Sequence, residues 1–412
     1  PTLMDAKLGK TTHLPPLKLD GTVDMAGGVI GGRLRALTQQ GDLALDGKWN
    51  SRVEGYDINL DADKFPVGTF LPGLGIGNVT AKVDARGRGF DPMSRRTEMY
   101  AAVDAIDVGY RGYSIHDLKV VANLSDGNAD LNVTSSNKVI DGNLHASGNL
   151  AGKTYDWTMI GDFRNVDLYA LGVADTVSNV AASVAGTVRM TPSTHDIDAE
   201  IDIHHVDAKL GETHFAAHDF DICFTGNDSL SDARIDNQDL KIRFVSPMVV
   251  DSVAARFTSA MSLVSPMVEA RNVDIDILQH SLPPFTLDID ALHDYLAESG
   301  TTFRHATLSA CNDSLICIKA AVDTLITGTT RFDRIDFNAL QEGNRLNYEL
   351  TIDNQPGTFD DFAHIAGKGY IGGDKVMVAL QQRNIKDATG YRIGALVELS
   401  DSTLKLRLDP TD

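Results

Sequence analysis

The stretch Gly142–Leu171, GNLHASGNLAGKTYDWTMIGDFRNVDLYAL, decides the fold, because most of it recurs elsewhere in the chain. Its first part, Gly142–Gly148, matches Gly41–Gly47 at an offset of 101 residues. Downstream, Asn179-Val180-x-Ala182 matches Asn78-Val79-x-Ala81 at the same offset. Self-similarity at so long a period predicts stacked supersecondary units that share a continuous core.

A further copy begins in the second half of the chain. Arg271-Asn272-Val273-Asp274 repeats Arg164-Asn165-Val166-Asp167 at an offset of 107 residues. Small changes of offset are what loop insertions and deletions produce. The sequence therefore predicts a single elongated β-repeat body over residues 1–412, with approximate repeats 19–117, 118–219, 220–336 and 337–412.

The composition favours strands and excludes one class of partner. The 412 residues include 36 glycines and only 7% aromatics, and the periodic segments are rich in Val, Ile, Leu, Thr and Asp. The net charge of −20 comes without a cluster of basic residues, so attraction to a phosphate backbone is missing. We expect no nucleic-acid partner.

Apolar residues alternate with polar ones along most of the chain, which is the period of a strand with one dry face. Short polar turns separate these segments at the spacing of an antiparallel all-β array. The alternating sets are Leu19/Gly21/Val23, Leu43/Leu45/Gly47, Leu118/Val120/Ala122/Leu124, Ala129/Leu131/Val133, Gly142/Leu144/Ala146, Trp157/Met159, Ile201/Ile203, Phe220/Ile222/Phe224, Leu240/Ile242/Phe244, Val253/Ala255/Phe257, Leu346/Tyr348/Leu350/Ile352, Val376/Val378/Leu380, Ile393/Ala395/Val397/Leu399 and Leu404/Leu406/Leu408.

Helices are predicted to be few and short. Asp288–Ser299 is the strongest candidate, since it has apolar residues on one helical face, early acidic residues and a glycine stop. A short helix is also predicted at Phe359–Ala363. The segments near Val67–Pro72, Asp167–Leu171 and Asp274–Leu278 are either single helical turns or strand ends.

The dry face must fold against itself, because the chain offers no second set of apolar elements long enough to cover it. The predicted fold class is therefore all-β: an elongated antiparallel sheet folded over into an open apolar groove, with one or more short helices. Depending on how far apart the two walls stand, the interior is a groove or a packed seam. Glycine and alanine at inward positions such as Gly142 and Ala146 favour a groove.

The cysteines and the chain start bear on location. Cys311 and Cys317 flank the turn-forming Asn312-Asp313-Ser314 and can face each other across a hairpin, either as a disulfide in an oxidising compartment or as two buried thiols. No apolar run reaches 18 residues, and Pro1 begins in ordinary sequence without a signal peptide. The sequence is interpreted as a piece of a longer protein.

No constellation for catalysis or metal binding stands out. His204, His205, His214 and His218 are close in sequence, but neighbouring strand residues point to opposite faces, so His204 and His205 cannot both bind one metal without a bend. No nucleophile, base and orienting group occur together. We expect a protein that is not an enzyme and that uses no metal or cofactor.

The stretch Gly142–Leu171 also carries a family resemblance. A small-x-Leu strand, Gly142-Asn143-Leu144 through Gly148, is followed by a strand that exits through Asn165-Val166-Asp167-Leu168, with Leu171 three residues on. This resembles the interior repeats of the TamB/AsmA-like envelope proteins, in the form found in Bacteroidetes. The glycine-rich, alternating stretch Gly367–Asp409 is similar to those repeats in its general pattern.

The resemblance implies a folded-over β-sheet with an apolar interior, which spans the periplasm and carries phospholipid between the inner and outer membranes. It also implies a parent protein anchored in the inner membrane that reaches the outer membrane and meets outer-membrane assembly proteins there. The inner-membrane helix and the terminal domain of such a parent are not recognisable in this sequence. The chain would then be one section of the bridge.

Three functions follow as hypotheses. The first is a lipid conduit in which phospholipid acyl chains lie in the groove. The second is an assembly factor whose sheet edge pairs with strands of outer-membrane barrel proteins. The third is a structural or adhesive array with a filled core. For the conduit, the predicted lining residues are Leu118, Val120, Leu131, Val133, Leu144, Ala146, Trp157, Met159, Ile201, Ile203, Phe220, Ile222, Phe224, Leu240, Ile242, Phe244, Leu346, Tyr348, Leu350, Val376, Val378 and Leu380.

Overall fold

A computed structural model describes residues 16–174, 176–211, 213–292, 301–328, 330–354, 363–399 and 404–409. The fold is all-β, with 66% strand and 9% helix, and the strand pairs whose registers are resolved are antiparallel. The all-β prediction is confirmed. The chain divides into a first unit, residues 1–192 and 201–219, and a second unit, residues 193–200 and 220–412.

In the first unit each strand from β2 to β11 pairs with the strand before it. A last strand, β13, pairs with the end of β12. The strands are β1 Lys18–Ala26, β2 Val29–Leu37, β3 Asp42–Asn50, β4 Gly55–Pro66, β5 Ile76–Arg88, β6 Glu98–Tyr110, β7 Tyr113–Ser125, β8 Asn128–Ser136, β9 Ile140–Asn149, β10 Tyr155–Asp167, β11 Ser178–Thr191, β12 Asp196–Leu210 and β13 Thr213–Ala216.

The second unit is built in the same way, with β14 to β17, β19, β20 and β23 to β28 paired in chain order, while β18, β21 and β22 form a small separate sheet. These strands are β14 Phe220–Asn227, β15 Leu230–Asp236, β16 Leu240–Ser246, β17 Phe285–Ala291, β18 Thr301–Phe303, β19 Ala306–Asn312, β20 Ile316–Val322, β21 Leu325–Thr327, β22 Thr330–Phe332, β23 Arg334–Gln341, β24 Leu346–Asp353, β25 His364–Gly372, β26 Lys375–Arg383, β27 Thr389–Leu399 and β28 Leu404–Asp409.

Two local features recur at the offsets seen in the sequence. A β-bulge interrupts the β4–β5 pairing between Ala62 and Phe65, and another interrupts the β10–β11 pairing between Phe163 and Val166, which is 101 residues further on. The repeated aspartates also act alike. Asp167 accepts a hydrogen bond from the N–H of Ala170, and Asp274 accepts one from the N–H three residues on, at Ile277.

Two secondary-structure predictions are wrong. The predicted helix Asp288–Ser299 starts inside β17, where side chains alternate between half-buried and exposed, and its remainder past Leu292 lies outside the described residues. Conversely, the predicted strand around Val253 and Phe257 belongs to helix α2, Val250–Glu269. Residues four apart share a face in a strand and in a helix, so Val253 and Phe257 fit both periods. Ala255, two residues from each, fits only the strand period, and including it led to the wrong prediction.

The short segments after the repeat markers differ from one another. The first contains a single helical turn, α1 at Val67–Phe70, followed by the 3₁₀ turn Pro72–Leu74. The second, Asp167–Leu171, is a turn closed by a hydrogen bond from the N–H of Leu171 to the C=O of Asp167. The third contains helix α3, Ile275–Ser281. The helix predicted at Phe359–Ala363 falls mainly on residues outside the described part of the chain.

Candidate functional site

The candidate site is the apolar face that the strand registers create in each unit. In the first unit, residues directly opposite one another form an unbroken row across eleven strands, and every member is apolar or glycine. This row is Gly21, Leu34, Leu45, Leu60, Val83, Val103, Val120, Val133, Leu144, Gly161 and Val184. We call the side of the sheet that carries this row the first apolar face.

The second unit has an equivalent face, which we call the second apolar face. Its row of direct partners is Ile222, Ile235, Ile242, Ile289, Leu308, Ala320, Phe337, Leu350, Gly367, Leu380 and Ile393. Because successive side chains on a strand point to opposite sides, the intervening Asp, Asn, Lys and Arg residues lie on the other face. Each unit therefore has one apolar and one polar side.

The predicted lining residues fall on these faces. Leu118, Val120, Leu131, Val133, Leu144, Ala146, Trp157 and Met159 lie on the first apolar face. Phe220, Ile222, Phe224, Leu240, Ile242, Phe244, Leu346, Tyr348, Leu350, Val376, Val378 and Leu380 lie on the second. Ile201 and Ile203 lie in β12.

The apolar faces are half-buried rather than sealed. Among the described residues the largest side chains that are fully buried are Asn312, Pro283, Ser178, Ser231 and Ser246. None of these is a large aliphatic or aromatic group. A sandwich with a filled core instead buries its Leu, Ile and Phe side chains. Most large apolar side chains of the two faces thus keep some contact with solvent.

Helices cover part of the second apolar face. Phe257 of α2 packs against Phe244 of β16 and Phe285 of β17, with ring centroids 6.0 and 5.2 Å away. Arg256 of the same helix donates a hydrogen bond to the C=O of His280 at the end of α3. The segment between β16 and β17 is thereby held over one end of the face.

Buried polar side chains attach this helical segment. Asn312, which is 2% exposed, donates from Nδ2 to the carbonyls of Gln279, Leu282 and Pro283 at 2.9 to 3.3 Å. The hydroxyl of Ser246 donates to the carbonyl of Pro284 at 2.7 Å. Since an unpaired buried carbonyl is costly, these bonds fix the segment in place.

In the first unit, a small core closes the end where β10 leads into β11. Buried Ile115, Val139 and Ala170 pack together with Tyr110, Leu118, Ile140 and Leu171 around the turn after β10. The opposite end of this unit, where β1–β2, β3–β4 and β5–β6 are joined, has no helix in the described residues.

At that opposite end the first apolar face holds a cavity of about 350 Å³. Val23, Ile30, Trp49, Tyr56, Ile58 and Phe90 are among its walls, and Gly32 and Gly47 lie between them. Burial raises the pKa of Tyr56, which keeps its hydroxyl neutral. The sequence prediction missed this cavity. The available signal was a glycine at matching inward positions of two neighbouring strands.

Histidine and aspartate side chains pair with one another near the end of β12. His204 lies 3.0 Å from Asp219 and His214 lies 2.8 Å from Asp207. The hydrogen bond from His204 lowers the pKa of Asp219. A larger cavity of about 940 Å³ in the first unit is lined both by charged residues, among them Asp46, Asp84 and Lys119, and by Leu34, Leu45 and Val83 of the apolar row. In the described part of the chain, no group of three or more His, Cys, Asp or Glu side chains is arranged to hold a metal ion.

Cys311 and Cys317 face each other across the β19–β20 hairpin, where the structure joins them as a disulfide with Cα atoms 5.0 Å apart. Both lie on the polar side of the second unit. Cys223 is a free thiol.

No family model, curated protein or solved structure matches this chain. Within the described residues, no helix combines the length and the hydropathy needed to cross a bilayer.

Proposed function

We propose that this chain is a section of a periplasmic conduit that carries phospholipid between the inner and outer membranes, with acyl chains against its apolar faces. The observation that supports this most directly is the pair of unbroken apolar rows, which are incompletely covered by other parts of the protein. Each row offers apolar contact along its whole length and carries no polar side chain that would select one lipid. The resemblance to TamB/AsmA-like proteins points in the same direction.

The free-energy barrier to moving a lipid through water is large. Moving an acyl chain of about 16 carbons through water costs about 0.8 kcal/mol for each CH₂ group, or roughly 12 kcal/mol in all. An apolar face that accompanies the chain removes most of this barrier. Side chains of Val, Ile, Leu and Ala suit the task because their contact is unspecific.

The test is to place a charge on the apolar face and to measure lipid delivery. Leu144→Lys puts an ammonium group among Val133 and Gly161, its direct partners on the first apolar face. Asn143→Lys is the matched control, because Asn143 points to the polar side opposite Thr134 and Asp162. Phe224→Lys with Asp221→Lys makes the same comparison in the second unit.

In the parent protein, Leu144→Lys should reduce phospholipid delivery to the outer membrane, while Asn143→Lys leaves it unchanged. An unpaired charge in a lipid-lined face is costly, whereas on the polar face it stays in water. Thermal unfolding of the purified chain is measured in parallel. Equal delivery by both variants would refute the conduit. Outright unfolding by Leu144→Lys would indicate a packed interior and favour the structural array.

A second candidate, the assembly factor for outer-membrane barrel proteins, is favoured by β1. In the described part of the chain this strand pairs with β2 alone, and Leu19, Val23 and Met25 are 67%, 60% and 74% exposed. An exposed strand edge can accept a further strand. A photo-crosslinking residue at Asp24 should capture a nascent barrel protein if this function is correct, and only lipid or solvent if it is not.

A further inference from the structure

The disulfide between Cys311 and Cys317 lies next to the hairpin tip that holds α2 and α3, which together we call the helical cover of the second apolar face. The disulfide joins the last pair but one of strand partners in the β19–β20 hairpin, and the last pair is Asn312 with Ile316. Each cysteine is therefore the chain neighbour of one tip residue. Asn312 donates hydrogen bonds to carbonyls at the end of α3 and just after it.

Ile316 is connected to the other end of α3 through one intermediate side chain. Its N–H donates to Oε1 of Gln341 at 3.0 Å, and Nε2 of Gln341 donates to the carboxylate of Asp276 in the first turn of α3 at 2.9 Å. Ile316 and Gln341 are 8% and 4% exposed, so these bonds are shielded from water. The two tip residues thus hold α3 at both ends, and the disulfide holds the two tip residues together.

The disulfide itself lies on the other side of the sheet from the helical cover. Cys311 and Cys317 form a row of direct partners with Thr286 on one side and Leu340 on the other. Because successive side chains of a strand point to opposite sides, this row belongs to the polar side, whereas Asn312 points to the apolar side. Both cysteines are half-buried. A reductant can therefore approach the sulfur atoms without displacing the helical cover.

Two exposed leucines flank the disulfide. Leu340, the direct partner of Cys317, is 54% exposed, and Leu315, whose carbonyl oxygen lies 3.9 Å from Sγ of Cys311, is 42% exposed. The next row of partners on this side is exposed and polar: Ser309, Lys319 and Asn338. Exposed apolar side chains beside a disulfide form a surface on which a protein that exchanges disulfides can dock.

We propose that a protein dithiol of the Cys-x-x-Cys type docks on Leu315 and Leu340 and reduces the Cys311–Cys317 disulfide, and that this reduction releases the helical cover from the second apolar face. A thiolate of the reductant bonds to one sulfur of the pair and displaces the other sulfur as a thiolate. The second thiol of the reductant then breaks this mixed disulfide and closes a disulfide within the reductant. Two electrons and two protons pass to Cys311 and Cys317, which become thiols.

Reduction acts on both attachments of α3 at once. Without the cross-link, Asn312 and Ile316 separate when the hairpin tip frays, and the bonds that each of them provides are lost together. The inference rests on the proposed function, because it takes the second apolar face to carry acyl chains, and it adds a control over which part of that face is open. Its test needs no lipid, so the disulfide switch and the conduit can fail independently of each other.

Hydrogen exchange of the purified chain, with and without dithiothreitol, tests the release. Amides of α3 should exchange about tenfold faster after reduction, because even a short cross-linked loop restricts the opened state by at least that factor. Amides of β25 and β26 should be unchanged. The double variant Cys311→Ser, Cys317→Ser should show the fast rate in both conditions.

Two results of this experiment would overturn the release. Equal exchange of the α3 amides in the oxidised and reduced chain would show that the disulfide does not control the helical cover. Faster exchange in β25 and β26 as well would make the disulfide a general structural cross-link of the second unit.

The docking surface is tested by comparing a protein dithiol with a small one, with thiol alkylation as the measure of reduction. Leu340→Thr should slow reduction by thioredoxin several-fold and leave reduction by dithiothreitol unchanged, because only the protein contacts the leucine. Ile385→Thr is the matched control: this side chain, in the β26–β27 loop, is 46% exposed, and its replacement should change neither rate.

The covalent step is tested with thioredoxin whose second active-site cysteine is replaced with serine. In the Cys223→Ala background, which removes the free thiol, this thioredoxin should be trapped as a mixed disulfide with Cys311 or Cys317. Absence of a trapped species would overturn the exchange. Equal rates of thioredoxin reduction for Leu340→Thr and the unmodified chain would overturn the docking surface.

Discussion

The two apolar faces are made by the same strand alternation, yet they end differently. At one end of the second apolar face, α2 and α3 pack over the strands and Asn312 fixes them there. At the turn end of the first apolar face, the connections are short, no helix lies in the described residues, and Gly32 and Gly47 leave a gap. The strand pattern sets the face, whereas the connections decide whether its end is covered.

The difference shows that a small number of side chains decides whether an end of an apolar face is covered. The covered end of the second unit has polar residues on its apolar face, outside the apolar row, because a helical segment brings backbone carbonyls that need donors. Ser231, Ser246 and Asn312 fill this need in the second unit, and Gln341 donates to the carboxylate of Asp276 in the same segment. At the uncovered end of the first unit, Gly32 and Gly47 occupy paired positions on the apolar face.

The largest effect is expected where the cover is attached. Asn312→Ala removes the donor for three backbone carbonyls in a site that is 2% exposed, so the free energy of unfolding of the second unit should fall by about 3 kcal/mol. Denaturant unfolding measures this loss. Asn338→Ala, at an exposed position of β23, is the control and should change stability by less than about 0.5 kcal/mol. Equal effects of the two variants would show that the helical cover of the second apolar face does not depend on Asn312.

A smaller loss is expected when the aromatic contact of the cover is removed. Phe257→Ala should cost roughly 2 kcal/mol, less than a fully buried Phe because Phe257 is only half-buried. Its counterpart in the first unit is Phe70→Ala, which removes the ring that stacks on Phe65 at 5.1 Å. We expect that loss to be smaller, because α1 is a single turn. Thermal unfolding of both variants compares the two losses of stability. A larger loss for Phe70→Ala than for Phe257→Ala would contradict the prediction.

The smallest effect concerns pH and again separates the units. In the second unit, a hydrogen bond to Asp290 raises the pKa of His305. The resulting stabilisation is complete below the unfolded value of about 6.5 and is lost as pH rises through the folded-state pKa. In the first unit, the lowered pKa of Asp219 gives stabilisation above about 3.9 that is lost as pH falls.

Titration of the histidine ring protons by NMR checks the second unit. Asp290→Asn should return the pKa of His305 towards about 6.5, and His305→Gln should flatten the decline of stability as pH rises above about 6.5. An unchanged His305 pKa in the Asp290→Asn variant would show that the pair contributes nothing.

The sequence predicted the strands well because alternation is a direct imprint of a sheet with one dry side. Leu131, Leu144 and Val378 lie on apolar faces as the period requires. Helix α2 was missed because residues four apart fit both periods. The cavity at Gly32 and Gly47 was missed for another reason: it depends on which strand positions lie opposite each other, and register follows from turn lengths that alternation alone does not specify.

The bulges in β4 and β10 bear on which molecules can follow the first apolar face. A bulge bends its strand and increases the local twist, so the face changes direction near Phe65 and again near Val166. A molecule that keeps contact through both places has to bend with the face. Acyl chains do so by rotating about single bonds, whereas fused-ring molecules such as sterols and hopanoids keep their shape. If acyl chains follow the first apolar face, as we propose, the two bulges favour flexible hydrocarbon over rigid molecules.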